Sequence, residues 1–122
     1  MPLLEDDEQY LTEKGWRFEI HEEPERTLLV IKDYQLPSKF TLDMTDVLII
    51  IPRLYPMNPL DMFWVRPEIR LKASGAYPQA ADYFENYLGD RWQRFSRHYQ
   101  WRPNIDSLES HLRVIQNSLE RA

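Results

Sequence analysis

The chain has 122 residues, 43% hydrophobic and 29% charged, which is typical of one globular domain (residues 1–122) able to bury a core. It contains no cysteine, which excludes disulfides, thiolate zinc sites and cysteine nucleophiles. The formal charge of −5 disfavours non-specific nucleic-acid binding, which depends on neutralising phosphates. Because the longest apolar run, Val47–Ile51, is too short to span a membrane and the N-terminus is acidic, we expect a cytoplasmic protein.

The first half of the chain predicts one helix followed by three strands. Leu3–Lys14 has apolar residues at helical spacing, and its acidic cluster at residues 5–8 is expected to face solvent near the helix N-terminus. Trp16–Ile20 alternates apolar and polar residues, which is typical of a half-buried strand, and Thr27–Lys32 is expected to be its antiparallel partner. Val47–Ile51 is apolar throughout and predicts a third strand covered on both faces.

The second half predicts one more strand, an edge strand and a helix before the C-terminal helix. Leu60–Val65 is expected to form a short strand, and the alternation at Ile69–Leu71 suggests a further edge strand. Pro78–Leu88 has apolar residues at helical spacing and predicts a helix, with Gly89 as its C-cap.

The end of the chain predicts the strongest amphipathic helix. Its capping pair is expected to be Asp106 and Glu109, and His111 is expected to face solvent. The predicted apolar stripe consists of Ile105, Leu108, Leu112, Ile115 and Leu119. The whole order predicts an α+β fold with a four-stranded antiparallel meander and with the N-terminal and C-terminal helices packed on one face.

Two short motifs give this order a family resemblance. The sequence Leu-Tyr-Pro-Met-Asn-Pro follows the apolar third strand, and Trp-Arg-Pro directly precedes the last helix. With Phe-Ser-Arg-His between them, the chain resembles the ubiquitin-conjugating (UBC) fold over roughly Trp16 to Leu119. It is most similar to the prokaryotic ubiquitin-conjugating-enzyme-like family E. The motif residues are expected to be structural; they are Tyr55, Pro56, Pro59, Trp101 and Pro103.

The resemblance implies a bacterial protein that carries or transfers a ubiquitin-like protein. Its implied partners are that ubiquitin-like protein and a ubiquitin-activating-enzyme-like protein. On composition and motifs we expect no cofactor, nucleic acid or membrane. Conventional members have a catalytic cysteine between the two motifs, usually after His-Pro-Asn, and this chain has neither. The position of that cysteine falls near Gln93–Ser96, where Ser96 is the only nucleophile-type side chain.

We therefore expect Arg91–Pro103 to be a functional loop in which Ser96 forms an oxyester. A serine hydroxyl needs a base, and His98 lies two positions on, so the two side chains share a face if the backbone is extended but not if it is helical. The tetrahedral intermediate carries a negative oxygen. The residues expected to stabilise it, or to bind the incoming tail, are Arg94, Arg97 and Arg102.

Two other functions compete with this one. If Ser96 only packs or hydrogen-bonds, the chain is a catalytically inactive UBC-like or RWD-like module that recruits a partner. The interleaved cations and aromatics of the predicted loop also suggest single-stranded nucleic-acid binding, which the acidic total charge opposes. No metal is expected, because three dispersed histidines and no cysteine give none of the usual ligand spacings, and three glycines form no phosphate loop.

Overall fold

The structure, a computed structural model, describes residues 3–122, which form two helices and a six-stranded antiparallel sheet. The strand order across the sheet is β1-β2-β3-β4-β6-β5. The elements are α1 (Glu5–Glu13), β1 (Phe18–Glu22), β2 (Arg26–Gln35), β3 (Met44–Pro52), β4 (Phe63–Arg66), β5 (Tyr83–Tyr87), β6 (Asp90–Phe95) and α2 (Leu108–Arg121). Within residues 3–122, neither helix has the length and apolar character needed to cross a membrane.

Alternation along the strands separates the two faces of the sheet. Leu29 and Ile31 of β2 join the core that includes both helices, and the intervening residues face the other side. On the helix side, the Phe63 and Phe95 rings of the paired strands β4 and β6 stack with centroids 4.7 Å apart. The opposite face has its own apolar cluster, formed by Leu28, Val30, Leu48, Trp64 and Trp92. The α+β class is therefore correct, but the sheet has six strands rather than four.

The predicted helix at Pro78–Leu88 is wrong, because this region contains β5. Strand β5 pairs with β6 across a two-residue turn at Leu88 and Gly89, which have φ values of 54° and 78°. Two successive positive φ values are typical of the hairpin turn that matches strand twist. Gly89 is thus a turn residue rather than a helix cap. The region Arg91–Phe95, expected to belong to a loop, lies in β6, and only α2 remains as a C-terminal helix.

The connection at residues 67–82 contains no strand, contrary to the prediction for Ile69–Leu71. Instead of a paired strand, the buried side chain of Gln93 forms hydrogen bonds with backbone groups of this connection. Its Oε1 accepts from Ile69 N at 2.8 Å, and its Nε2 donates to Ile69 O at 3.0 Å and Ala81 O at 2.8 Å. Leu71 forms only an isolated bridge with Phe40. One amide therefore holds this connection against β6.

Helix α2 begins later than predicted, so Ile105 lies outside it and is 65% exposed. The backbone N–H of Ser107 donates to Ser110 Oγ at 2.9 Å, and these two residues replace the expected capping pair. Asp106 instead accepts from the backbone N–H of Arg102 at 2.8 Å, and the Arg102 side chain lowers the pKa of the carboxyl group. The rest of the predicted stripe is buried, namely Leu108, Leu112, Ile115 and Leu119.

A buried tyrosine connects the two helices. The Tyr55 hydroxyl donates to Asp7 Oδ2 at 2.7 Å and accepts from the backbone N–H of Leu108 at 2.7 Å. Burial raises the pKa of Asp7. The prediction that the acidic cluster faces solvent is therefore wrong for Asp7, while its three acidic neighbours are exposed.

Candidate functional site

Ser96 lies immediately after β6, where the chain leaves the sheet towards α2. Its backbone N–H donates to Ala80 O at 3.0 Å, which fixes its place beside the 67–82 connection. Its side chain is half-buried, and its partner among residues 3–122 is the thioether of Met62, with Oγ 3.7 Å from Sδ. A thioether is a weak acceptor. The Ser96 hydroxyl therefore remains available for another partner.

The hydroxyl group of the neighbouring Tyr99 forms a hydrogen bond with a buried histidine, His111. His111 Nε2 faces the Met62 carbonyl at 3.2 Å and must donate to it, so Nδ1 accepts the Tyr99 hydroxyl proton at 2.7 Å. Burial lowers the pKa of His111 to about 4 and raises that of Tyr99. Both groups are consequently neutral at pH 7. The prediction that His111 faces solvent is wrong, because the side chain lies on the buried face of α2 and is 1% exposed.

His98 pairs with a carboxylate that the sequence did not single out. Its Nδ1 lies 2.9 Å from Asp61 Oδ1 and 3.2 Å from Asp61 Oδ2, and the His98 side chain is 69% exposed. Within residues 3–122, there is no hydrogen bond between the side chains of Ser96 and His98. Asp61 is 37 residues from His98, and the pairing of β4 with β6 brings their segments together.

The three candidate arginines differ in whether an acidic side chain neutralises them. Arg94 lies 3.6 Å from Glu85, and Arg102 pairs with Asp106 at 3.3 Å. Arg97 has no acidic partner among the ion pairs of residues 3–122, and burial lowers its pKa. Its partners are neutral oxygens: Ser118 Oγ accepts from Nε, and Nη1 donates to Gln79 O at 2.8 Å and Ser96 O at 3.1 Å.

A groove of about 580 Å³ is lined by three of the predicted site residues. It runs between the end of β6 and α2, and it brings together Ser96, Arg97 and His98 but neither Arg94 nor Arg102. The other residues that line it are Gln79, Ala80, Tyr99, Val114, Asn117, Ser118, Arg121 and Ala122. A larger groove of about 680 Å³, lined by Trp16 and Tyr34 among others, contains none of the predicted site residues.

The two motifs of the sequence contact each other next to this site. Trp101 Nε1 donates to Pro56 O at 2.8 Å, and the Tyr55 and Trp101 rings have centroids 6.1 Å apart. These contacts hold the proline-rich loop against the segment that connects β6 to α2. Of the aromatics in the predicted loop, Trp92 and Phe95 are buried. No group of three or more histidine, aspartate or glutamate side chains within the described chain could hold a metal ion.

Comparison with known proteins identifies one family. The sequence model of prokaryotic E2 family E, a family of ubiquitin-conjugating-enzyme-like proteins, matches residues 3–122. No curated protein and no solved structure matches the chain significantly. The matched range includes both motifs and the Ser96 groove, and it confirms the relationship predicted from the sequence. The chain therefore belongs to prokaryotic E2 family E, and a ubiquitin-conjugating-like role follows from that membership.

Proposed function

We propose that the protein accepts the C-terminal carboxyl group of a ubiquitin-like protein and carries it as an oxyester on Ser96. The observation that carries this proposal is that one groove is lined by Ser96, Arg97 and His98. The hydroxyl of Ser96 has only a weak contact with sulfur, and Arg97 has no acidic partner among the ion pairs of residues 3–122. The donor is an activating-enzyme-like partner that holds the carboxyl group as a thioester. Because activation consumes ATP, we place the reaction in the bacterial cytoplasm.

The transfer step follows from the roles of these side chains. Ser96 Oγ attacks the thioester carbonyl carbon, a C–O bond forms, and the C–S bond breaks. The Oγ proton passes to His98 Nε2 and then to the departing thiolate. The tetrahedral intermediate places a negative charge on the carbonyl oxygen, and Arg97 supplies the positive charge that stabilises it. An acceptor amine then attacks the oxyester carbonyl carbon, a C–N amide bond forms, the C–O bond to Ser96 breaks, and a proton from the amine passes through His98 to Ser96 Oγ.

The reaction requires the Ser96 side chain to leave its present contact. In the structure Ser96 Oγ faces Met62 Sδ, whereas proton transfer needs Oγ within about 2.6–3.2 Å of the base. Rotation about χ1 breaks only a weak contact with sulfur. Catalytic hydrogen bonds are often long or poorly aligned before substrate binds. Binding of the tail in the groove is therefore the step that brings Ser96 and His98 together.

The test is the formation of a covalent adduct. The protein is incubated with its ubiquitin-like partner, the activating enzyme and ATP, and the products are followed by intact mass. We expect an adduct that resists thiols, is cleaved by strong base and is absent in Ser96→Ala. Ser74→Ala is the matched control, because Ser74 lies in an exposed turn where its Oγ accepts from Ala76 N. An adduct that persists in Ser96→Ala would refute the proposal.

A second candidate function is a recognition module without chemistry. The observation that favours it is that, within residues 3–122, Ser96 has no base as a hydrogen-bond partner. The variant Ser96→Cys separates the two functions, since a thiol is a stronger nucleophile than a hydroxyl. If Ser96→Cys forms a thiol-sensitive adduct and the serine protein forms none, the groove receives the tail but the protein acts by recruitment.

A further inference from the structure

Asp61 and His98 form an exposed pair, and His98 also lines the groove. Their side chains are 45% and 69% exposed, and an ion pair this open contributes only about 0–1 kcal/mol to folding. Stability therefore does not explain the contact. Its geometry has another consequence, because both carboxylate oxygens lie within 3.2 Å of the same ring nitrogen, Nδ1.

We propose that Asp61 is a positioning residue that holds His98 in the tautomer needed for proton transfer. An ionised carboxylate only accepts hydrogen bonds, so His98 Nδ1 must carry the proton. The other nitrogen, Nε2, then has a free lone pair and can accept the Ser96 proton. This inference rests on the proposed function, because it names the group that prepares the base of that reaction.

The other two histidines make the inference specific. His21 uses Nε2 to contact Glu19 Oε1 at 3.2 Å, and His111 uses Nε2 to donate to the Met62 carbonyl. Both contacts place the ring proton on Nε2. Of the three histidines in this chain, His98 is thus the one for which the contacts require the proton on Nδ1. The Glu19–His21 pair also supplies a matched control, since it is an exposed carboxylate–imidazole pair on another strand.

The first test reads the tautomer directly and needs no activity. Long-range ¹H–¹⁵N spectra of the labelled protein, at a pH where the ring is neutral, distinguish a protonated from an unprotonated ring nitrogen. We expect His98 to be protonated at Nδ1 and His21 at Nε2. Asp61→Asn should move His98 towards the Nε2 tautomer, Asp61→Glu should preserve the original form, and Glu19→Gln should leave His98 unchanged. A His98 ring protonated at Nε2, or indifferent to Asp61→Asn, would overturn the inference.

The second test asks whether Asp61 acts through His98 in the reaction. A general base contributes about 100-fold or more to a rate, so Asp61→Asn should slow Ser96 adduct formation by about 10- to 100-fold. The double variant with His98→Gln should be no slower than His98→Gln alone. An equal loss from Asp61→Asn in the His98→Gln background would show that Asp61 acts independently. An Nδ1-protonated His98 without any Ser96 ester would refute the proposed function while leaving the Asp61–His98 coupling intact.

Discussion

Acidification is expected to destabilise the fold through one buried imidazole, that of His111. The ring is 1% exposed and packs between the Tyr99 hydroxyl and the Met62 carbonyl. Burial disfavours the charged form, and the nearby Asp61 carboxylate offsets only part of this effect. The neutral ring is therefore part of the folded state.

The size and sign of the effect follow from the pKa of His111. It falls from an ordinary value of 6.5 to about 4 in the folded chain. Between these values the unfolded chain binds a proton that the folded chain does not, so stability falls as the pH falls. At about 1.4 kcal/mol per pH unit, the shift corresponds to about 3 kcal/mol, present in full above pH 6.5 and lost by about pH 4.

The assay is urea unfolding followed by tryptophan fluorescence, with His111→Gln as the reference. Glutamine can accept from Tyr99 and donate to the Met62 carbonyl, but it does not titrate. Subtracting its unfolding free energy from that of the native chain at each pH cancels the contributions of other groups. One of them is Asp7, whose raised pKa makes its contribution to stability fall as the pH rises.

We expect this difference in unfolding free energy to be constant above pH 6.5. It should then decrease by about 3 kcal/mol as the pH falls to about 4. A difference that does not change with pH would refute the reasoning. It would mean that His111 in the folded chain is protonated as easily as a free imidazole.

Two predictions concern packing, and both are read from urea midpoints at neutral pH. Gln93→Leu leaves the backbone groups of Ile69 and Ala81 without their side-chain partner and should cost at least about 2 kcal/mol; an unchanged midpoint would show that water replaces these bonds. Ile115→Ala empties a fully buried position of α2 and should cost about 2–5 kcal/mol, whereas Ile105→Ala should change stability by less than about 0.5 kcal/mol. Equal costs at Ile105 and Ile115 would contradict the helix boundary.

The elements that could be predicted from the sequence are those whose local apolar pattern is strong. Val47–Ile51 is apolar at every position and places side chains in the apolar clusters on both faces of the sheet, and the stripe from Leu108 to Leu119 buries one face of α2. The helix prediction for the β5 region was wrong because its apolar residues fit both the helical period and the strand period. Its aromatic residues favour a strand, but pairing with β6 decided the outcome.

The same division applies to the candidate site. Ser96, Arg97 and His98 could be predicted as site residues because they are consecutive and lie beside a recognisable motif. It did not indicate Asp61, which meets His98 only because β4 and β6 are neighbours in the sheet. Nor did it show that His111 is buried, since a histidine at the border of an apolar stripe is compatible with either environment.

By itself, the sequence determined which chemical groups this protein has near its second motif: one hydroxyl, one imidazole and several cations. Only the tertiary structure decided which of them remain available. Arg94 and Arg102 each meet an acidic side chain, whereas Arg97 meets neutral oxygens beside Ser96. The physical reason is that a charge or a hydroxyl is neutralised by whatever packs against it, and packing joins residues that are distant in the chain.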